Sequence, residues 1–245
     1  MTSALDGIRV VLLDIEGTTT PIAFVHERLF GFVRSHLDAF LASKWNLPAV
    51  QEAVEDLAAE RSHDRDADGL PAWPDDAPMH AQEAVATYAR WLMERDRKSP
   101  GLKALQGLIW QDAYLAGELR GEVFSDVPRA MQRWREQGKR IAIYSSGSVL
   151  AQQLLFSSTP AGDLTPLIDA FFDTAVGSKK HADSYRAISA SLGCQPADIL
   201  FLSDVTAELS AATLAGCSVR LCMRPGNTPQ PDADRFEQLA DFSTL

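Results

Sequence analysis

Five short apolar segments recur along the chain, one near the N-terminus and four in its second half, and most are followed by apolar residues at helical spacing. The first carries branched apolar side chains with Arg9 as its only charge, which is typical of a strand buried on both faces. Strands that alternate with helices form a parallel sheet covered by helices on both faces. The pattern therefore predicts an α/β protein with a Rossmann-like parallel sheet, whose strands are residues 8–13, 139–144, 170–174, 199–203 and 218–223.

Residues 21–120 interrupt this alternation, because their apolar residues recur only at helical spacing. Residues 64–78 are rich in Pro, Gly and Asp and predict a surface loop, and Gly117 and Gly121 permit a hinge where the α/β pattern resumes. The sequence thus predicts an inserted all-helical cap domain at 21–120 and an α/β core formed by 1–20 and 121–245. The predicted cap helices are residues 26–41, 49–59, 79–95 and 102–119.

Within the core, the helices between the strands have ordinary start and stop signals. Asp126 is predicted as the N-cap, with Pro128 in the first turn, of a helix that stops at Gly138. Residues 227–234 are rich in Pro and Asp and predict a loop before a short final helix. The other core helices are predicted at residues 148–156, 183–192 and 205–214.

Two carboxylates, Asp14 and Glu16, follow the first strand where it must end. Ligands of open α/β sheets bind beyond the carboxyl ends of the strands, and alternation along the backbone points both carboxylates the same way while Ile15 turns to the core. Two like charges this close need a cation to offset them. A site that has few carboxylates and leaves room for water and phosphate favours Mg²⁺ over Ca²⁺ or Zn²⁺. The alternative is a pair of ordinary turn residues that cap the next segment.

Three further strand ends carry residues that suit a phosphate site. Ser145 and Ser146 supply hydroxyls beside a helix N-terminus, Lys179 supplies a cation, and Asp204 supplies another carboxylate. Each also has a structural interpretation: a tight turn with a helix N-cap for the serines, a solvated surface charge for the lysine, and a helix cap for Asp204. Their order, each at the carboxyl end of a separate strand of one sheet, is the stronger indication of a common site.

The charge, the hydropathy pattern and the cysteine and histidine spacing limit the partners that can be expected for this chain. The formal net charge is −10 and the pI is near 4.9, so a nucleic acid is not expected as the main partner. The first residues show no basic segment followed by an apolar one, and no apolar stretch approaches membrane-spanning length, so we expect a cytoplasmic monomer with no membrane partner. The three cysteines and five histidines show neither Cys-x-x-Cys nor zinc-ligand spacing.

Taken together, these motifs resemble those of the haloacid-dehalogenase-like phosphohydrolase superfamily. The segment 14–18 resembles its first motif, Ser145 its second, Lys179 its third and Asp204 its fourth. One departure is informative, because most phosphatases of the superfamily have Asp two residues after the nucleophile, where this chain has Glu16. Longer segments resemble one branch, the acireductone synthases (enolase-phosphatases) of methionine salvage; these segments are 14–25, 96–107, 143–149 and 201–208.

The resemblance implies the reaction. A bifunctional enolase-phosphatase enolises 2,3-diketo-5-methylthiopentyl-1-phosphate, a small phosphate ester, and dephosphorylates it to an acireductone. It implies that Asp14 forms an aspartyl-phosphate and that Glu16 transfers protons. It also implies that Lys179, together with the hydroxyls of Ser145 and Ser146, offsets charge on the phosphate. The helical insertion would then act as a cap that excludes water.

The resemblance also implies a Mg²⁺ cofactor. Asp14 and Asp204 would hold the ion, and Glu16 is treated in this family as a further metal-site residue, acting through a carbonyl or a water molecule. The sequence leaves open whether Glu16 serves the metal, the proton transfer or both.

Two alternatives remain at this stage. A related phosphatase or phosphomutase would use the same motifs on another small phosphate ester, because the motifs set the chemistry and the cap sets the substrate. A receiver-like signalling module would be phosphorylated on Asp14 to change a binding surface. The long insertion and the carboxylate at position 16 argue against the receiver.

Overall fold

A computed structural model describes residues 5–64, 69–73, 78–97 and 99–245. Of the predicted loop at 64–78, residues 65–68 and 74–77 lie outside the described residues. The chain divides into two compact units. The first unit consists of two segments, the residues up to His26 and Arg120–Leu245, and the second unit is the single segment Glu27–Leu119.

The first unit is built on a six-stranded parallel sheet with the strand order β3-β2-β1-β4-β5-β6. The first strand is central, and its Leu13 is in register with Ile143 on one side and Leu202 on the other. Strands β2 and β3 lie on one side of β1, and strands β4 to β6 lie on the other. The strand order therefore switches between β1 and β4, and doubly wound folds bind their ligands at such a switch point. The strands are β1 (Val10–Leu13), β2 (Arg140–Tyr144), β3 (Ala170–Phe172), β4 (Ile199–Ser203), β5 (Ser218–Cys222) and β6 (Gln238–Leu239).

The core helices lie close to their predicted positions, at α5 (Val127–Glu136), α6 (Val149–Ser157), α7 (Ala182–Ser191) and α8 (Thr206–Ala215). Tyr185 and Ile188 of α7 and Leu209 of α8 pack with Val10 and Leu12 of the central strand in one cluster of buried side chains. All four residues of β1 are fully buried, which explains their uninterrupted apolar sequence.

One local prediction for this unit is wrong, and a second is confirmed only in part. The chain near the C-terminus forms one 3₁₀ turn (Ala233–Arg235) and then the edge strand β6 in place of a final helix. Asp126 occupies the predicted N-cap position of α5, but its carboxylate makes no N-cap hydrogen bond; it accepts two hydrogen bonds from the guanidinium of Arg224 and one from the backbone N–H of Phe242. The interaction with Arg224, a charged residue from a distant segment, therefore takes the place of the capping hydrogen bond.

The second unit is helical over its described residues. A π-helical segment (Phe24–Leu29) leads into it, and four helices follow. The second and fourth helices pack closely, because a Cβ at Gly101 would lie 2.8 Å from the backbone nitrogen of Leu57. No helix in the described part of the chain is both long and apolar enough to span a bilayer. The four helices are α1 (Phe30–Lys44), α2 (Pro48–His63), α3 (Pro78–Glu94) and α4 (Pro100–Ala116).

Candidate active site

Asp14 lies immediately beyond the carboxyl end of β1, beside the end of β4. Its backbone nitrogen donates to the carbonyl of Leu202 at 3.0 Å, so the two strands stay paired up to this residue. The residue is 4% exposed. Its Oδ1 accepts a hydrogen bond from the backbone nitrogen of Ile15 at 2.7 Å, and its Oδ2 accepts one from the hydroxyl of Ser203 at 3.2 Å. These bonds hold the carboxylate in one orientation at the switch point of the sheet.

Lys179 carries the positive charge that this carboxylate needs. Its Nζ lies 2.6 Å from Asp14 Oδ1 and 2.7 Å from Glu208 Oε2, and the side chain is buried. The hydroxyl of Tyr185 donates to the Lys179 carbonyl at 2.7 Å, which fixes the loop that carries the lysine. Lys180, its neighbour, is exposed. The structure therefore brings the predicted lysine of this adjacent pair to Asp14.

The electrostatics of this cluster follow from its burial. Burial by itself lowers the pKa of Lys179, but the charges of Asp14 and Glu208 outweigh it and hold the pKa above its ordinary value. Burial, reinforced by the charge of Asp14, raises the pKa of Glu208, and the ammonium of Lys179 opposes that rise. Lys179 is thus a permanent cation, and removing it would leave two buried carboxylates unpaired.

Glu208 is the residue of this cluster to which sequence reasoning assigned no role. It lies in the first turn of α8, and its carboxylate contacts both Lys179 and the hydroxyl of Ser203, which is 3.0 Å away. The available signal was the spacing Asp204-x-x-x-Glu208, which brings a helix residue back toward the end of the preceding strand. Its position beside Lys179 depends on how β3 and β4 are arranged in the sheet.

Asp204 follows β4 and is buried, and Val205 occupies the N-cap position of α8. Burial, followed by the charges of Asp14 and Glu208, raises the pKa of Asp204 to about 7. A Cβ built on Gly17, whose φ is +66°, would overlap Asp204 Oδ2. The turn after β1 therefore passes directly against this carboxylate, and only glycine fits there.

Glu16 is placed differently from Asp14. Its side chain is partly exposed, and its Oε1 lies 2.7 Å from Nε2 of His26, in the π-helical segment. Single π turns inside helices are frequent at functional sites. Glu16 thus stands at the rim of the buried cluster, next to a ring that can hold its carboxylate.

The three serines in the turn after β2, Ser145, Ser146 and Ser148, differ in burial and in their hydrogen bonds. Ser145 is buried, and its hydroxyl accepts a hydrogen bond from the backbone nitrogen of Gly147 at 3.3 Å, whereas Ser146 is exposed. The N-cap that the alternative interpretation required is Ser148, which accepts from the nitrogen of Ala151. Helix capping therefore does not use Ser145 or Ser146.

Comparison with known proteins identifies the family. Residues 8–216 match haloacid dehalogenase-like hydrolases. A relative named enolase-phosphatase E1 from Synechococcus elongatus is 49% identical over 221 residues, which cover 90% of this chain and 91% of that protein. The enolase-phosphatase E1 of Xenopus tropicalis is 44% identical over 93% of this chain and 90% of its own. The chain belongs to the enolase-phosphatase family of haloacid dehalogenase-like hydrolases.

A solved structure shares the fold of this chain. The crystal structure of the UTR4 protein of Saccharomyces cerevisiae is similar with a TM-score of 0.79 and 32% identity, covering 97% of this chain and all of the other. The predicted family, the α/β fold and the prediction of a phosphatase are therefore confirmed.

An enolase-phosphatase site of this kind has to accommodate a metal ion. Among the described residues there is no group of three or more His, Cys, Asp or Glu side chains placed to hold one. Two buried carboxylates, Asp14 and Asp204, do lie in one electrostatic environment, where the charge of Asp14 raises the pKa of Asp204. Hard oxygen ligands that are few in number suit an ion that retains several of its waters. The donor set therefore fits a small divalent cation.

Proposed function

We propose that this enolase-phosphatase converts 2,3-diketo-5-methylthiopentyl-1-phosphate to the acireductone 1,2-dihydroxy-3-keto-5-methylthiopentene and phosphate, by enolisation followed by dephosphorylation. The main observation in support of phosphatase chemistry is the buried contact of Asp14 with Lys179 at the switch point of the sheet. The family membership supports the substrate.

In this proposal Asp14 is the nucleophile. One of its carboxylate oxygens forms a bond to phosphorus while the bond from phosphorus to the substrate oxygen breaks, which gives an aspartyl-phosphate and the free enol. Water then attacks the same phosphorus, releases inorganic phosphate and restores the carboxylate, so that one difficult hydrolysis becomes two easier steps. The hydrogen bonds from Ile15 and Ser203 support this role, because they orient the carboxylate before substrate binds.

Lys179 offsets the negative charge of the nucleophile and of the incoming phosphate. Its burial makes this charge effective, since water does not screen it. Glu208 holds the ammonium from its other side and is a positioning residue for Lys179. The hydroxyls of Ser145 and Ser146, at the end of the neighbouring strand β2, bind the equatorial phosphate oxygens.

Glu16 gives a proton to the leaving oxygen in the first step and takes one from the attacking water in the second. Its location at the rim, where solvent reaches it, supports such an exchange. The helical unit from Glu27 to Leu119 serves as the cap that selects the substrate.

We propose Mg²⁺ as the cofactor, held by Asp14 and Asp204, with Glu16 contributing through a carbonyl or a water molecule. The ion would supply a positive charge that polarises the phosphate oxygens. The raised pKa of Asp204 supports this assignment, because a carboxylate that is costly to ionise alone gains most from a cation beside it.

The test is an assay of the diketo phosphate in Mg²⁺ with optical detection of both enol and acireductone, and with phosphate release measured in parallel. We expect all three signals from the wild type, and neither acireductone nor phosphate from Asp14→Asn. Release of phosphate from p-nitrophenyl phosphate without any reaction of the diketo phosphate would leave a phosphatase and overturn the proposed substrate.

A further inference from the structure

The loop after β5 reaches back to the turn that carries Glu16. Nδ2 of Asn227 donates to the carbonyl of Gly17 at 2.9 Å and to the carbonyl of Cys222 at 3.0 Å. Nε of Arg224 donates to the carbonyl of Thr18 at 3.0 Å. Two consecutive carbonyls of the turn after β1 are therefore held by side chains that lie more than 200 residues away in the sequence.

Arg224 gives this loop a rigid base. Its guanidinium makes two hydrogen bonds with the carboxylate of Asp126, at 3.0 and 2.9 Å, and lies 4.2 Å from the ring centre of Phe242. The side chain is 2% exposed. The position of Asn227, three residues later, is thus defined by a partly buried ion pair and not only by its own hydrogen bonds.

These contacts also determine which way the Asn227 amide faces. Two carbonyl oxygens can accept only from the NH₂ group, so Nδ2 must point toward Gly17 and Cys222, and Oδ1 must point away from them. Oδ1 is buried and has no hydrogen-bond partner among the described residues. A buried acceptor left without a donor is costly, and such an atom calls for a ligand.

The position of Oδ1 indicates which ligand. A Cβ at Gly17 would lie within 3.0 Å of both Asn227 Oδ1 and Asp204 Oδ2, so the two oxygens approach the same point. Both are acceptors when Asp204 is ionised, and neither can satisfy the other. A water molecule held by a cation donates two hydrogen bonds and has the polarity that such a pair of oxygens needs.

We infer that Asn227 is a positioning residue of the cation site, where its side-chain carbonyl accepts a hydrogen bond from a water molecule of the hydrated Mg²⁺ ion while its NH₂ group holds Gly17 against Asp204. The inference rests on the proposed function only in taking Asp204 as a ligand of that ion. It adds a residue from the β5–β6 loop to a site otherwise formed by the ends of β1 and β4.

Mg²⁺ binding to the purified full chain tests this without turnover. The measurements are isothermal calorimetry with MgCl₂ and the rise in melting temperature that MgCl₂ produces over EDTA. Asn227→Ala should weaken Mg²⁺ binding about tenfold and reduce the thermal shift, as loss of an outer-shell partner typically does. Asn227→Asp retains an acceptor and adds a charge, so it should melt lower in EDTA yet bind Mg²⁺ at least as tightly as the wild type.

Asn46→Asp is the matched control, since it makes the same change of charge at an exposed residue of the helical unit and should leave Mg²⁺ binding unchanged. Equal weakening by Asn227→Ala and Asn227→Asp would overturn the inference, because only the NH₂ group would then matter. Unchanged binding in Asn227→Ala would overturn it as well. Failure of the proposed function is separate: it would appear as a wild type that binds Mg²⁺ but releases no phosphate from the diketo phosphate.

Discussion

Replacing Asp204 with asparagine is expected to stabilise the metal-free protein, by an amount that grows as pH rises through the range between the ordinary and the raised pKa of Asp204. The carboxylate is buried beside Asp14 and Glu208, and this environment raises its pKa from 3.8 to about 7. Asparagine has nearly the same shape and carries no charge. The substitution therefore removes the cost of an ionised side chain while the packing around Gly17 is retained.

The sign of the pH dependence follows from the two pKa values. Below the ordinary pKa, Asp204 is protonated in both the folded and the unfolded chain and costs nothing. Between pH 3.8 and about 7 the folded chain retains a proton that the unfolded chain has lost, so the free energy of unfolding falls as pH rises. Above that range both states are ionised, and the folded state carries the full penalty.

The size of the penalty is at most roughly 4 kcal/mol, at about 1.4 kcal/mol for each pH unit between the two pKa values. For a chain of this length, that corresponds to a rise in melting temperature of up to roughly 10 °C for Asp204→Asn at pH 8 in EDTA. At pH 4.5 the two proteins should melt within about 2 °C of each other, because little of the penalty has developed there.

Thermal melts of both proteins in EDTA, followed by circular dichroism from pH 4.5 to 8, measure this difference. Asp183→Asn, at an exposed position of α7, is the control and should show no pH-dependent gain. The order should reverse in saturating MgCl₂, where only the wild type gains stability from the cation. A stability gain of the same size at pH 4.5 and pH 8, or none at pH 8, would refute the account of Asp204 as a buried charge.

Three further outcomes concern the chemistry. Asp14→Asn should abolish phosphate release, as measured by a colorimetric phosphate assay; normal turnover by the pure variant would exclude Asp14 as the nucleophile. Lys179→Ala should lower kcat/KM by about 10²- to 10³-fold and Lys180→Ala should change it little, and an exchange of the two losses would assign the charge to Lys180. Glu16→Asp should cost about 10²-fold because its carboxyl is retracted. Glu16→Gln should impair the diketo phosphate more than p-nitrophenyl phosphate at saturating Mg²⁺, whereas equal losses would show that Glu16 donates no proton.

Much of this architecture could be predicted from local sequence. A strand buried on both faces leaves an uninterrupted apolar run, and β1 and β4 show such runs. Because parallel strands share one carboxyl edge, residues that follow separate strands are brought together whatever lies between them in sequence. This is why Asp14, Lys179 and Asp204 could be assigned to one site, although the first and last are 190 positions apart.

Other features were decided only by tertiary structure. A two-residue edge strand such as β6 has no periodicity, and it exists because β5 offers it a free edge. Asp126 has the local sequence of a helix cap, but Arg224 reaches it from a distant loop and forms a stronger, charged interaction.

The same distinction applies within the site. The motif order points to Lys179, but only the fold buries it between Asp14 and Glu208, and only the fold gives Glu208 a role. Likewise, no local pattern links Asn227 to Gly17, since their hydrogen bond depends on the loop after β5 passing the end of β1. Sequence determines which side chains follow each strand, because that is a property of neighbours along the chain. Which of them share a buried, weakly screened environment depends on strand order and loop path, and that environment determines their charge and reactivity.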